Sequence, residues 1–195
     1  MKNYHYIVAS LPTMAKDLLE SEGSVYERTL EQVFPLLDRH DQKLARWISE
    51  TFEPERRGSL FYVKARRLDN SFLKSFIGLD RKIRLSQVKF LSESLGPQVC
   101  EYAQGELPET IAGELAAVFA HENILDREKA LDRYKWDQID AFTEGHYFDM
   151  DVILAFLAKA RIIDRWRELD PVRGEAFFKE LISSVRGTFK GVPKE

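Results

Sequence analysis

The chain has 195 residues, 44% of them hydrophobic and 31% charged, with a net charge of −3. That apolar share supplies a core and argues against disorder. The lack of a basic excess argues against a general nucleic-acid binder. The single cysteine, Cys100, forms no internal disulfide and suits a reducing compartment.

In chain order, Tyr4 to Pro12 is rich in aromatic and β-branched residues and reads as a short extended segment stopped by Pro12. A lone strand is unstable, and its evident partner is Leu60 to Val63, which could equally open a helix. Met1 to Pro12 is too short and polar for a signal peptide. Ser24 and Glu27 fit a capping box, and Leu30, Val33 and Phe34 follow as a helical stripe. Pro35 should end or kink that helix. A second helix is predicted from about Asp41 to Phe52, and Glu53 to Gly58 reads as a loop.

Asp69 or Asn70 can cap the next helix, in which Phe72, Phe76, Leu79 and Ile83 recur at spacings of three and four. It should reach Leu95, with Gly96-Pro97 as its stop. A second break, Glu106 to Glu109, admits a subdivision of the single helical domain into 1–105 and 106–195. Helices are then predicted over Ile111 to Ala120, after a cap at Asp126, and from about Asp149 to Leu169. Thr143-Glu144-Gly145 separates the last two, and Asp170-Pro171 opens a final helix. The expected fold is therefore an all-α multi-helix bundle. The most apolar stretch, Phe148 to Trp166, carries six charged residues, too many for a membrane span. A cytoplasmic protein with no direct span is expected.

Chemistry-bearing motifs are scarce. No phosphate-binding glycine loop and no Cys-x-x-Cys occurs, and His121-Glu122 fails as a zinc-protease motif because position 125 is Leu. No cofactor is implied. Glu144, His146, Asp149 and Asp151 could ligate a divalent metal, which would make a metal-dependent enzyme; the simpler reading is carboxylates capping a helix start. Basic residues gather at Arg56-Arg57, Lys64 to Arg67 and Arg81-Lys82-Arg84. They form either a docking patch for an acidic partner or RNA, or a solvated helix face. Arg161, Arg165 and Trp166 have the residue types enriched in interface hot spots, set against core packing of the tryptophan with snorkelling arginines.

Three segments carry a resemblance: Tyr4 to Pro12, Ser71 to Arg84, and Tyr147 to Asp151 with Arg165 to Asp170. Together they resemble a bacterial protein family encoded with V-type (A/V-type) ATP synthase subunits, similar to the C/d subunit that couples the central stalk to the proteolipid ring. The resemblance implies a non-catalytic helical part. It implies central-stalk and proteolipid-ring subunits as partners, and a place peripheral to the inner membrane through the complex. The chain is much shorter than a C subunit, which leaves an accessory or assembly role open, as it leaves a stand-alone helical adaptor. Tyr4, Tyr6, Arg81, Arg84, Arg165 and Trp166 fall in the matching segments and are the candidate partner-binding residues.

Overall fold

A computed structural model describes residues 4–13, 23–95, 107–169 and 179. The described residues form eight α-helices and no strand: α1 (Tyr4–Ser10), α2 (Val25–Val33), α3 (Arg39–Phe52), α4 (Ser59–Ala65), α5 (Ser71–Leu95), α6 (Glu109–Phe119), α7 (Ile124–Phe142) and α8 (Met150–Glu168). None of the described helices is long and apolar enough to cross a membrane. Gly96-Pro97, Cys100 and the helix expected after Asp170-Pro171 lie outside the described residues.

The start of the chain corrects the extended reading, because Tyr4–Ser10 is helical. A strand would need a neighbour's amides and carbonyls, whereas a helix satisfies its own. The segment also has a helical stripe: Ile7 is buried, and Tyr4, Val8 and Leu11 pack beside it on the main core. Leu60 to Val63 is likewise helical, with Phe61 and Ala65 turned inward one turn apart.

Helix α8 is the hub. Ile153, Leu154, Leu157, Ala158 and Ala160 have no measurable exposure. It packs on α1, α2, α3, α5 and α7. Each large apolar side chain buried this way contributes about 1.5–3 kcal/mol. A second cluster joins Leu79 and Ile83 of α5 to Leu115, Phe119 and Leu131 of α6 and α7, and Phe142 touches both clusters. The main core therefore takes residues from both sides of the break near 106.

The helix starts are set locally. Ser24 accepts the Glu27 amide (3.0 Å) at the start of α2, and Asn70 accepts the Leu73 amide (2.8 Å) at the start of α5. Asp38 accepts the His40 and Asp41 amides (both 2.9 Å), so α3 starts slightly before the expected Asp41. The cap of α7 is Asn123, which accepts the Leu125 amide (2.8 Å), and not Asp126. Either residue type can cap, and Asn123 stands just before the helical run while Asp126 lies within its first turn. Pro35 ends α2 by turning the chain into a 3-10 turn, Phe34–Leu36. Gly145 takes a left-handed conformation (φ 82°) that reverses the chain between α7 and α8.

Candidate functional site

The ionisable groups fall into two sets. The first is internal, and aspartates dominate it. Asp164 of α8 accepts the Ser24 hydroxyl (2.5 Å) and the Val25 and Tyr26 amides (2.8 and 2.9 Å). A carboxylate from one helix thus sits on the positive end of another. Asp151 accepts from Asn70 and from the Ser71 hydroxyl (3.0 Å), tying the start of α8 to the start of α5. Asp132 of α7 accepts from Lys135 (2.9 Å), Arg165 (2.7 Å) and the Trp166 indole (3.0 Å). Asp41 accepts the Tyr4 hydroxyl (2.6 Å). All four are buried, and a buried charge is tolerable only with such partners.

Two candidate partner-binding residues, both half-buried, bond to this set. Arg165 pairs with Glu128 and Asp132, and Trp166 packs on the main core with its N–H on Asp132. Tyr4 is half-buried against the core. Tyr6 is 64% exposed on α1, next to His5, whose ring lies 4.4 Å from that of the exposed Phe148. Arg161 lies over the Tyr26 and Phe52 rings at 4.7 and 5.8 Å.

The four residues considered for a metal do not converge. Asp149 places one oxygen on the Val152 amide (3.2 Å) and the other on His146 Nδ1 (2.5 Å), while Asp151 faces Asn70 and Ser71. Glu144 is exposed. Among the described residues no group of three metal-type ligands comes together. The hydrogen bond to Asp149 raises the His146 pKa above its ordinary value, and the charges of Asp149 and Asp151 add to this.

The second set is external and cationic. Residues 39–89 carry thirteen Lys and Arg against six Asp and Glu, within a chain whose net charge is −3. Between α4 and α5 runs a groove of about 510 Å³. Tyr62, Ala65, Ile77, Gly78 and Leu85 form its floor, and Arg66, Lys74, Arg81 and Lys82 line it without any acidic residue. On α5 the lining positions 74, 77, 78, 81, 82 and 85 follow helical spacing along one face over about 16 Å. On the other side of α4, Lys43, Arg46, Trp47, Glu50, Arg56, Leu60, Phe61 and Lys64 line a second depression of about 480 Å³. Leu60, 72% exposed, stands on the ridge of α4.

The neighbouring cations are already paired. Asp80 accepts Arg57 (3.0 Å) and the Tyr62 hydroxyl (2.6 Å), and Arg84 lies 3.2 Å from it. Burial, followed by the bond to Asp80, pushes the Tyr62 phenol far above its ordinary range. Arg66, Lys74, Arg81 and Lys82 meet no carboxylate among the described residues. The two sequence-predicted arginines of α5 therefore divide: Arg84 closes onto Asp80, and Arg81 faces the groove.

Gly78 is a further feature of the groove. A Cβ built on it meets no atom within 4 Å. A glycine inside a helix costs about 1 kcal/mol relative to alanine, and nothing within the described chain requires it there. Arg66 belongs to the basic cluster Lys64 to Arg67 that the sequence displays, whereas Gly78 and Lys74 are not singled out there as site residues. The spacing Lys74-x-x-Ile77-Gly78-x-x-Arg81-Lys82 was a usable signal, but only once α4 was known to be a helix.

Residues 101–188, somewhat less than half of the chain, match the family described as "Protein of unknown function (DUF2764)". The matched stretch contains α6 to α8 with Asp132, His146, Asp149, Asp151, Asp164, Arg165 and Trp166; the α4–α5 groove lies before it. No curated protein and no solved structure matches the chain.

Proposed function

We propose that this protein is a non-catalytic helical docking protein: a subunit or accessory protein of a V-type ATP synthase/ATPase. In that role it joins central-stalk and proteolipid-ring subunits and is peripheral to the inner membrane through them. The observation that carries the docking reading is the contrast in charge pairing. Interior carboxylates are consumed in holding helices together, while four cations face a groove with no counter-charge. A catalytic centre needs ionisable groups converging on a reacting atom. A docking surface needs unspent charge and apolar area on a stiff support. The choice of assembly rests on the sequence resemblance in Tyr4 to Pro12, Ser71 to Arg84, and Tyr147 to Asp151 with Arg165 to Asp170.

Pull-down of the tagged full chain from membranes of cells expressing the V-type complex tests this reading. Stalk or ring subunits should be recovered in stoichiometric amount. Their absence, with the bait folded and abundant, would remove the assignment to that complex. Recovery of a different, defined partner would leave the adaptor reading in its place.

A further inference from the structure

The groove between α4 and α5 has three properties that together restrict its occupant. Its lining cations, Arg66, Lys74, Arg81 and Lys82, are unpaired among the described residues, which calls for negative charge. Its floor is mainly apolar, through Tyr62, Ala65, Ile77 and Leu85, which a hydrated anion alone would not use. It is concave and about 16 Å long, a poor match to a flat membrane and a good one to about three turns of helix. Gly78 lies midway along α5's side of it, with open space where a side chain would stand. Small residues at such positions allow two backbones to approach closely.

We propose that the α4–α5 groove receives an acidic amphipathic helix of a partner protein, whose backbone comes closest at Gly78 and whose carboxylates meet Arg66, Lys74, Arg81 and Lys82. The inference rests on the docking reading given above, and it does not depend on which assembly supplies the helix. Partner carboxylates about two turns apart would match Lys74 at one end and Arg81 and Lys82 towards the other, and apolar residues on the same face would cover Ile77 and Leu85. Nucleic acid is a poorer fit, because the one aromatic ring of the groove, Tyr62, is fixed by Asp80.

The test uses the full chain and a labelled synthetic helical peptide of about 18 residues, with leucines on one face and glutamates flanking them. A second peptide has glutamine at every glutamate position. The acidic peptide should bind, bind more weakly as salt is raised, and exceed the glutamine peptide by on the order of tenfold. Arg81→Glu and Lys74→Glu should each weaken binding several-fold, and Gly78→Leu should abolish it. Gly113 of α6, also a helical glycine with open space above it, supplies the control: Gly113→Ala should leave binding unchanged. Gly78→Ala should raise the melting temperature and still weaken binding, a combination that a purely structural glycine would not give.

Equal binding of the two peptides would overturn the proposal, as would undiminished binding to the Gly78→Leu variant. So would no binding of the acidic peptide at all, or preference for anionic phospholipid vesicles or inorganic phosphate at the same side chains. If stalk or ring subunits are recovered by the wild-type bait while the acidic peptide does not bind, the functional assignment stands and the groove proposal falls. If the groove binds the acidic peptide but no ATPase subunit co-purifies, the reverse holds.

Discussion

The α8 hub and the α4–α5 groove use charge in opposite ways. Around α8, each buried aspartate is fully engaged: Asp164 by three donors of α2's start, Asp132 by Lys135, Arg165 and Trp166, and Asp151 by Asn70 and Ser71. The groove leaves four cations without carboxylates among the described residues and keeps a helical glycine with nothing above it. Burial explains the difference. In the interior an unpaired charge would cost several kcal/mol, so pairing is obligatory. On the surface an unpaired cation costs little, and its arrangement is free to serve a partner. Substitutions at the hub should therefore change stability. Those at the groove should change binding and leave the fold standing.

The largest effect should come from Asp164→Ala. It strips two buried amides and a hydroxyl of their acceptor and leaves Arg167 without the carboxylate 3.5 Å away. A loss of about 3–5 kcal/mol is expected, a large part of the roughly 5–15 kcal/mol that holds a domain together. Asp164→Asn keeps the shape and one acceptor oxygen, so it should cost less. Urea unfolding of the three proteins gives the ranking, and an Asp164→Ala variant as stable as wild type would break the contrast between hub and surface.

Alkaline pH should act on both regions through tyrosines held neutral. Burial raises the Tyr26 phenol beside the hub, and Tyr62 on the groove floor is raised by burial and by Asp80. Tyr134 is pushed up to about 12, mainly by burial and then by its bond to Glu114 (3.0 Å). In each case the folded state keeps its proton after the unfolded chain has released it. Their contribution to stability is therefore complete below pH 10 and is lost as pH rises through about 12 for Tyr134, and higher for Tyr62. Unfolding should steepen above pH 10, with phenolate absorbance appearing together with loss of helix. Tyr62→Phe should flatten that dependence, at the cost of the bond to Asp80.

What the sequence disclosed follows the range of the interactions. The caps at Ser24, Asn70 and Asp149, the break at Pro35 and the turn at Gly145 act within four residues of their own position, so residue type and spacing reveal them. The function of Asp164 depends on residues 138–140 positions away, and no local pattern announces it. Tyr4–Ser10 was misread because β propensity outweighed the Tyr4, Ile7, Val8 and Leu11 stripe, although a strand without a neighbour has no way to satisfy its backbone. Arg165 and Trp166 have interface chemistry in the sequence, and their bonds to Asp132 of α7 are as little announced by any local pattern, while the Arg165 side chain stays 39% exposed. The basic clusters were visible, but their meeting across one groove required α4 to be a helix beside α5.

At the groove the sign of the stability change should reverse. Gly78→Ala should stabilise the fold by about 0.5–1 kcal/mol, since a helical glycine is replaced and the new methyl meets nothing within 4 Å. Arg81→Glu should shift stability by no more than about 0.5 kcal/mol. Destabilisation by Gly78→Ala, measured in the same urea series, would mean that the fold itself needs glycine there, and the distinction between hub and groove would be weaker.

The smallest effect belongs to His146, which stands between the two regimes. Its Nδ1 lies 2.5 Å from Asp149, a residue that also caps α8, so the pair is geometrically close. Both side chains are more than a third exposed, however, and solvent screens them. A protonated imidazole beside a helix N-terminus is also opposed by the helix dipole. Because the folded-state pKa is raised, the stabilisation is fully present below the ordinary value of 6.5 and is lost as pH rises through the raised value. After screening it should amount to about 0.5 kcal/mol or less. Comparing wild type with His146→Gln at pH 5.5 and pH 8 isolates it: the wild-type advantage should be slight at the lower pH and gone at the higher. An advantage that instead persisted or grew at pH 8, where the imidazole is neutral and able to ligate, would point back to metal binding by His146 and Asp149.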